Sequence, residues 1–105
     1  MTPRGMLSSL TRGYEDDPSR VFPNNSFDGQ NLQYAVRLHR ALLAVNGSQD
    51  RGVSRARFMT VLRDQNRPAV LIEGGYLSNP REAEHIADPA YRQKLAEAVA
   101  RALYD

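Results

Sequence analysis

Hydrophobic positions along the chain follow a helical period in three places. Between Gly29 and Val45, apolar side chains recur at steps of three and four residues, a spacing that predicts an amphipathic helix. Ser26 or Asp28 is the expected cap at its start, and Asn46-Gly47 is the expected stop. Nearer the C-terminus, Asn79-Pro80-Arg81-Glu82 and Asp88-Pro89 each place a capping side chain before a proline. These signals predict two further helices, the last ending near residue 104.

Two shorter apolar segments lack that period and predict strands. Phe58–Leu62 is rich in residues that suit a pleated surface. Ala69–Ile72 is apolar at every position, so both faces of the strand would have to be covered. Such runs are typical of buried parallel strands. The expected strand ends at Glu73.

Two strands and three helices predict an α/β fold. A parallel pair alone makes a poor sheet, because parallel strands need crossover helices and further strands beside them. We therefore expect residues 28–105 to be the C-terminal portion of a mostly parallel sheet flanked by helices, and so an incomplete domain. Residues 1–27 have the composition of an irregular loop or an insertion, with several prolines and glycines.

Composition narrows the class of protein. The 105 residues suit one domain or part of one, and 41% hydrophobic with 25% charged residues fits a globular chain. With no cysteine, disulfides and thiolate chemistry are excluded. No apolar stretch is long enough to cross a bilayer, and the N-terminus lacks the apolar core of a signal peptide.

Glu73 is the strongest candidate for chemistry. In open α/β sheets, ligands bind at the carboxyl ends of the strands, where this glutamate would lie. A partly desolvated carboxylate suits a general acid/base. Gly74 and Gly75 would let a substrate or a backbone approach closely. The alternative is a structural glutamate that binds a neighbouring loop.

Other charged residues give weaker signals. Of Arg51, Arg55, Arg57, Arg63 and Arg67, most are expected on a solvated face. Arg63 is the exception, because it ends the first predicted strand and would share a sheet edge with Glu73. We expect His39 to lie in the core or at its boundary and His85 to form a surface pair, although either imidazole could in principle bind a metal. The arginines lack the interleaved aromatics of nucleic-acid modules, so we expect no nucleic-acid partner.

Several blocks of the sequence, in this order, resemble the C-terminal half of zinc-dependent N-acetylmuramoyl-L-alanine amidases. They are Asp50-Arg51-Gly52-Val53, Phe58-Met59-Thr60-Val61-Leu62-Arg63, Pro68-Ala69-Val70-Leu71-Ile72-Glu73-Gly74-Gly75-Tyr76-Leu77-Ser78-Asn79-Pro80 and Tyr91-Arg92-Gln93-Lys94-Leu95-Ala96. The resemblance covers roughly residues 28–105. It implies an α/β fold, peptidoglycan as the substrate and hydrolysis of the amide between N-acetylmuramic acid and L-alanine of the stem peptide. It also implies a location in the cell envelope.

The resemblance also assigns a role to Glu73. In the family a glutamate at this position deprotonates a zinc-bound water and then protonates the leaving amine. Arg63, Gly74 and Gly75 become candidate substrate-binding residues. The family's zinc ligands, two histidines and a glutamate, lie upstream of the matched blocks, and neither His39 nor His85 stands in a matching motif.

No metal ligand is therefore carried over to this chain. We expect zinc to be a cofactor of the complete domain, with a missing N-terminal half as the possible partner, and the chain alone to be inactive. The alternative is a non-catalytic module that binds the cell wall or a partner protein.

Overall fold

The computed structural model describes residues 19–47, 50, 52–53 and 59–104. These residues form a 3₁₀ helix, Pro23–Phe27, and the helices α1 (Asp28–Asn46), α2 (Thr60–Arg63), α3 (Pro80–Ala87) and α4 (Pro89–Tyr104). They divide into two compact units, one made of residues up to 36 with those from 52 to 71, the other of residues 37–50 with those from 72 onward. None of the described helices is long and apolar enough to cross a membrane.

The predicted α/β fold is wrong for the part of the chain that the structure describes, which contains helices and no strand. Residues 69–73, the predicted buried strand, have neither helical nor strand hydrogen bonding. A strand is defined by hydrogen bonds to a neighbouring strand, and no described segment pairs with this one. Of the other predicted strand, Thr60–Arg63 forms α2 and Phe58 lies outside the described residues. A parallel sheet flanked by helices is therefore not supported.

The first long helix is confirmed, but its predicted cap is wrong. The expected range from Gly29 to Val45 agrees with α1 to within one residue at each end. Neither Ser26 nor Asp28 caps it, because the 3₁₀ helix runs directly into α1. The helical stretch instead begins after Phe22, whose backbone N–H donates to Oδ1 of Asn25 at 2.8 Å.

The last two helices begin where their capping signals predict. Oδ1 of Asn79 accepts the backbone N–H groups of Arg81 at 3.0 Å and Glu82 at 3.2 Å. Oδ1 of Asp88 accepts the N–H of Ala90 at 3.0 Å. Each cap satisfies donors that the first helical turn cannot satisfy internally. Both helix starts are therefore fixed by residues next to them in sequence.

In the first unit, a chain of asparagine side chains holds the start of the apolar run. Asn24 is only 7% exposed, and its Nδ2 donates to the carbonyls of Gln65 at 3.0 Å and Arg67 at 2.7 Å. Its Oδ1 accepts from Nδ2 of Asn31 at 2.7 Å, and Oδ1 of Asn31 accepts the N–H of Ala69 at 2.7 Å. Because carbonyls only accept and amide N–H groups only donate, the orientation of both side-chain amides is fixed.

In the second unit, Gly75 packs against α3. A Cβ at this position would lie 2.9 Å from Cδ1 of Ile86 and 3.6 Å from Cβ of Glu82. The φ of Gly75 is +155°, which side chains with a Cβ rarely adopt. A Cβ at Gly74 would meet only Cδ1 of Leu95, at an ordinary 3.7 Å. The second glycine is therefore favoured mainly by its backbone angle, with the close contact to Ile86 adding to the effect, whereas neither applies to the first.

We expect Asn24→Ala to lower the free energy of unfolding by about 2–4 kcal/mol, because it removes three hydrogen bonds from a buried side chain. Urea denaturation followed by circular dichroism measures the change. Asn66→Ala is the matched control, since Asn66 is exposed and should change stability by less than about 0.5 kcal/mol. Equal losses of unfolding free energy in the two variants would show that the hydrogen bonds of Asn24 do not stabilise the fold.

We expect Gly75→Ala to destabilise the chain by about 1–3 kcal/mol, through the close contact and the backbone angle together. Gly74→Ala is the control and should have a much smaller effect. Adding Ile86→Val to Gly75→Ala removes Cδ1, the atom that the new methyl group meets, and should recover part of the loss. Thermal unfolding of all three variants checks this, and a full loss in the double variant would exclude the steric explanation.

Candidate active site

Glu73 lies in the irregular segment that leads to α3, and its side chain is half-buried. The hydroxyl of Tyr76 donates to Oε2 of Glu73 across a distance of 3.4 Å. In a regular strand, residues three apart would point to opposite faces with their Cα atoms about 10 Å apart. The contact therefore requires a departure from regular strand geometry between these residues, and Gly75, with its positive φ, lies among them.

The residues after Glu73 are attached to α3 at two points. The carbonyl of Tyr76 accepts the backbone N–H of Asn79 at 3.1 Å, which closes a turn, and Asn79 then caps α3. Gly75 contacts the side of the same helix through Ile86. The segment that carries Glu73 and Tyr76 is thus fixed to α3 within the second unit.

The three predicted substrate-binding residues have different surroundings. Gly74 is exposed next to Glu73, whereas Gly75 faces α3 of the chain itself. Arg63 ends α2 in the first unit, and its Nε lies 3.3 Å from Oδ2 of Asp64. The sheet edge that was expected to join Arg63 to Glu73 is missing from the described part of the chain. Substrate binding by the three residues stays a prediction.

His39 and His85 both make contacts within the second unit. Nε2 of His39 lies 2.7 Å from Oδ1 of Asp50, and the imidazole is 21% exposed, as expected for a boundary position. The ring of His85 is half-buried, with its centroid 4.8 Å from that of Tyr91, and its Nδ1 is buried without a hydrogen-bond partner. His85 is therefore a packing residue in this structure and not the surface pair that was predicted.

Tyr91 is the aromatic residue that packs against the ring of His85. Burial raises the pKa of its hydroxyl, and the negative charge of Glu82 raises it further. The phenol therefore stays protonated well above neutral pH, and Tyr91 serves as a neutral packing partner for His85.

No group of three or more His, Asp or Glu side chains in the described ranges could hold a metal ion. A catalytic zinc site needs three protein ligands. The residues present there therefore do not fit the zinc site that the resemblance implies. Of the other arginines in the predicted group, Arg51, Arg55 and Arg57 lie outside the described residues, and Arg67 is exposed.

Tyr76 contacts Glu73 but was not among the predicted site residues. The available signal was its position three residues after Glu73, with two flexible glycines between them. Interpreting the segment as a strand placed the two side chains on opposite faces, and so concealed the contact.

Comparison with known proteins identifies relatives among cell-wall amidases. The chain is 36% identical over 70 residues to N-acetylmuramoyl-L-alanine amidase CwlM of Bacillus licheniformis, which covers 67% of the chain and 27% of that protein. It is 37% identical over 70 residues to the probable cell wall amidase LytH of Staphylococcus epidermidis, covering 67% of the chain and 22% of LytH. No solved structure matches the chain significantly.

A third relative shows the same relation at lower identity. N-acetylmuramoyl-L-alanine amidase LytC of Bacillus subtilis is 28% identical over 82 residues, covering 77% of the chain and 16% of LytC. The chain thus spans between 16% and 27% of the length of these relatives. The family described as N-acetylmuramoyl-L-alanine amidase matches residues 15–105, and the chain therefore belongs to the N-acetylmuramoyl-L-alanine amidase family.

Proposed function

We propose that this chain supplies the C-terminal part of an amidase catalytic domain in the cell envelope. The domain hydrolyses the amide that joins N-acetylmuramic acid to L-alanine in peptidoglycan. The family match over residues 15–105 supports this assignment, as do the relatives named as cell-wall amidases. Because the chain spans about a quarter or less of those relatives, the hydrolysis is proposed for the complete domain.

The observation that carries the proposal is the position of Glu73. Amide hydrolysis needs a group that takes a proton from the attacking water and returns one to the leaving nitrogen. A positioned carboxylate does both. Glu73 combines a half-buried side chain, an exposed glycine beside it and a hydroxyl in contact with Oε2. Its proposed role is to receive the proton of water on a carboxylate oxygen and to donate it to the amine.

The described residues contribute proton transfer to this proposal and not metal binding. Members of the family are zinc-dependent, and zinc polarises an amide carbonyl and makes bound water acidic. No described group of side chains fits that ion. Its ligands are therefore proposed to be residues other than those described here.

The alternative is a module that binds the wall without cleaving it. The net charge of +2 and the excess of arginine over lysine are compatible with an anionic envelope. Binding and cleavage are separate measurements, so the two functions can be distinguished with one set of variants.

We expect Glu73→Gln in the complete domain to lower the rate of stem-peptide release by at least about 100-fold, because glutamine cannot accept or donate the proton. The new N-terminal L-alanine amines released from purified peptidoglycan are quantified by mass spectrometry. Glu84→Gln is the control, since Glu84 is exposed on α3 and its loss should change the rate less than about twofold. The zinc content of each variant is measured alongside.

Activity of Glu73→Gln within a few-fold of the parent would remove Glu73 from the mechanism. Sedimentation with insoluble peptidoglycan tests the alternative function. Binding without release by the unmodified complete domain, with zinc present, would favour the non-catalytic module.

A further inference from the structure

We propose that Tyr76 is a positioning residue for Glu73, whose carboxylate it orients for proton transfer through the contact at Oε2. This inference rests on the proposed function of Glu73. The hydroxyl donates to Oε2 across 3.4 Å, within the same compact unit. The contact joins two residues of the matched block that are separated only by Gly74 and Gly75.

The backbone between the two residues has a conformation that favours glycine. Gly75 has a φ of +155°, an angle that residues with a Cβ rarely adopt. The same glycine lies against Ile86, where a Cβ would approach to 2.9 Å, so this backbone is held by packing as well. A residue with a side chain at position 75 would disturb both.

The backbone that follows Tyr76 is also held in place. Its carbonyl accepts the N–H of Asn79 at 3.1 Å, and the side chain of Asn79 caps α3 through Arg81 and Glu82. The tyrosine is half-buried, unlike Leu77 after it, which is 76% exposed. The backbone of Tyr76 is thus held by the turn and the helix cap, which limits where its side chain can lie.

The length of the contact defines what it can do. Hydroxyl–oxygen hydrogen bonds usually measure about 2.7–2.8 Å, so at 3.4 Å this one is weak. Catalytic hydrogen bonds are often long without substrate and shorten in the bound complex.

Tyr76→Phe removes only the oxygen and keeps the ring. In the complete domain we expect kcat to fall about three- to tenfold with KM changed less than about twofold, because substrate binding does not use the hydroxyl. Tyr104→Phe is the matched control, since that tyrosine is 92% exposed, and it should leave both constants unchanged.

A Tyr76→Phe variant with the parental kcat, while Glu73→Gln is inactive, would overturn this inference and leave the proposed function intact. Activity retained by Glu73→Gln would overturn both. The double variant Glu73→Gln/Tyr76→Phe should be no slower than Glu73→Gln alone. An additive loss in that variant would mean that Tyr76 acts independently of Glu73.

A readout without catalysis completes the test. The chemical shift of the Glu73 carboxyl carbon is compared by NMR at one fixed pH in the parent complete domain, in Tyr76→Phe and in Tyr104→Phe. The signal should move in Tyr76→Phe only. An unchanged signal in Tyr76→Phe would show that the hydroxyl does not interact with the carboxylate in solution.

Discussion

The hydrogen bonds of Asn24 and Asn31 are the constraint on which the first unit depends. The apolar run beginning at Ala69 has no strand beside it in the described part of the chain, so its first N–H needs another acceptor. Asn31 on α1 supplies it, and Asn24 orients Asn31 while binding two carbonyls before the run. Leaving such buried groups unpaired costs about 1–3 kcal/mol each. Two side-chain amides thus satisfy backbone groups that a neighbouring strand would satisfy in a sheet.

Polar contacts contribute much of the stability of this structure, because few apolar side chains in the described ranges are buried. The buried hydrophobic residues there are Ala35, Leu38 and Ala98, and two of these are alanines. Alanine contributes little hydrophobic free energy, since that energy follows the apolar area removed from water. Order around the candidate site therefore comes from the Asn79 cap and from the contact of Gly75 with α3.

What could be predicted from the sequence was local. The starts of α3 and α4 are decided by Asn79 and Asp88, which bind N–H groups two or three residues away, and both were predicted correctly. The cap of α1 was wrong because a 3₁₀ helix already begins at Pro23, before Ser26 is reached, and runs into α1. The strands were wrong because strand formation needs a partner distant in sequence. The bonds of Asn24 to residues 41 and 43 positions away leave no periodic signal.

The incorrect strand and the missed role of Tyr76 have one physical origin. Apolar side chains at every position from Ala69 to Ile72 indicate burial, but they do not specify the backbone beyond Glu73. If the strand continued through Gly75, the odd spacing would place Tyr76 on the face opposite Glu73. The contact between hydroxyl and carboxylate shows that this alternation is not kept, and Gly75 with its positive φ lies between the two residues. The apolar run therefore indicates burial up to Ile72, whereas the candidate site is formed by the irregular backbone that follows it.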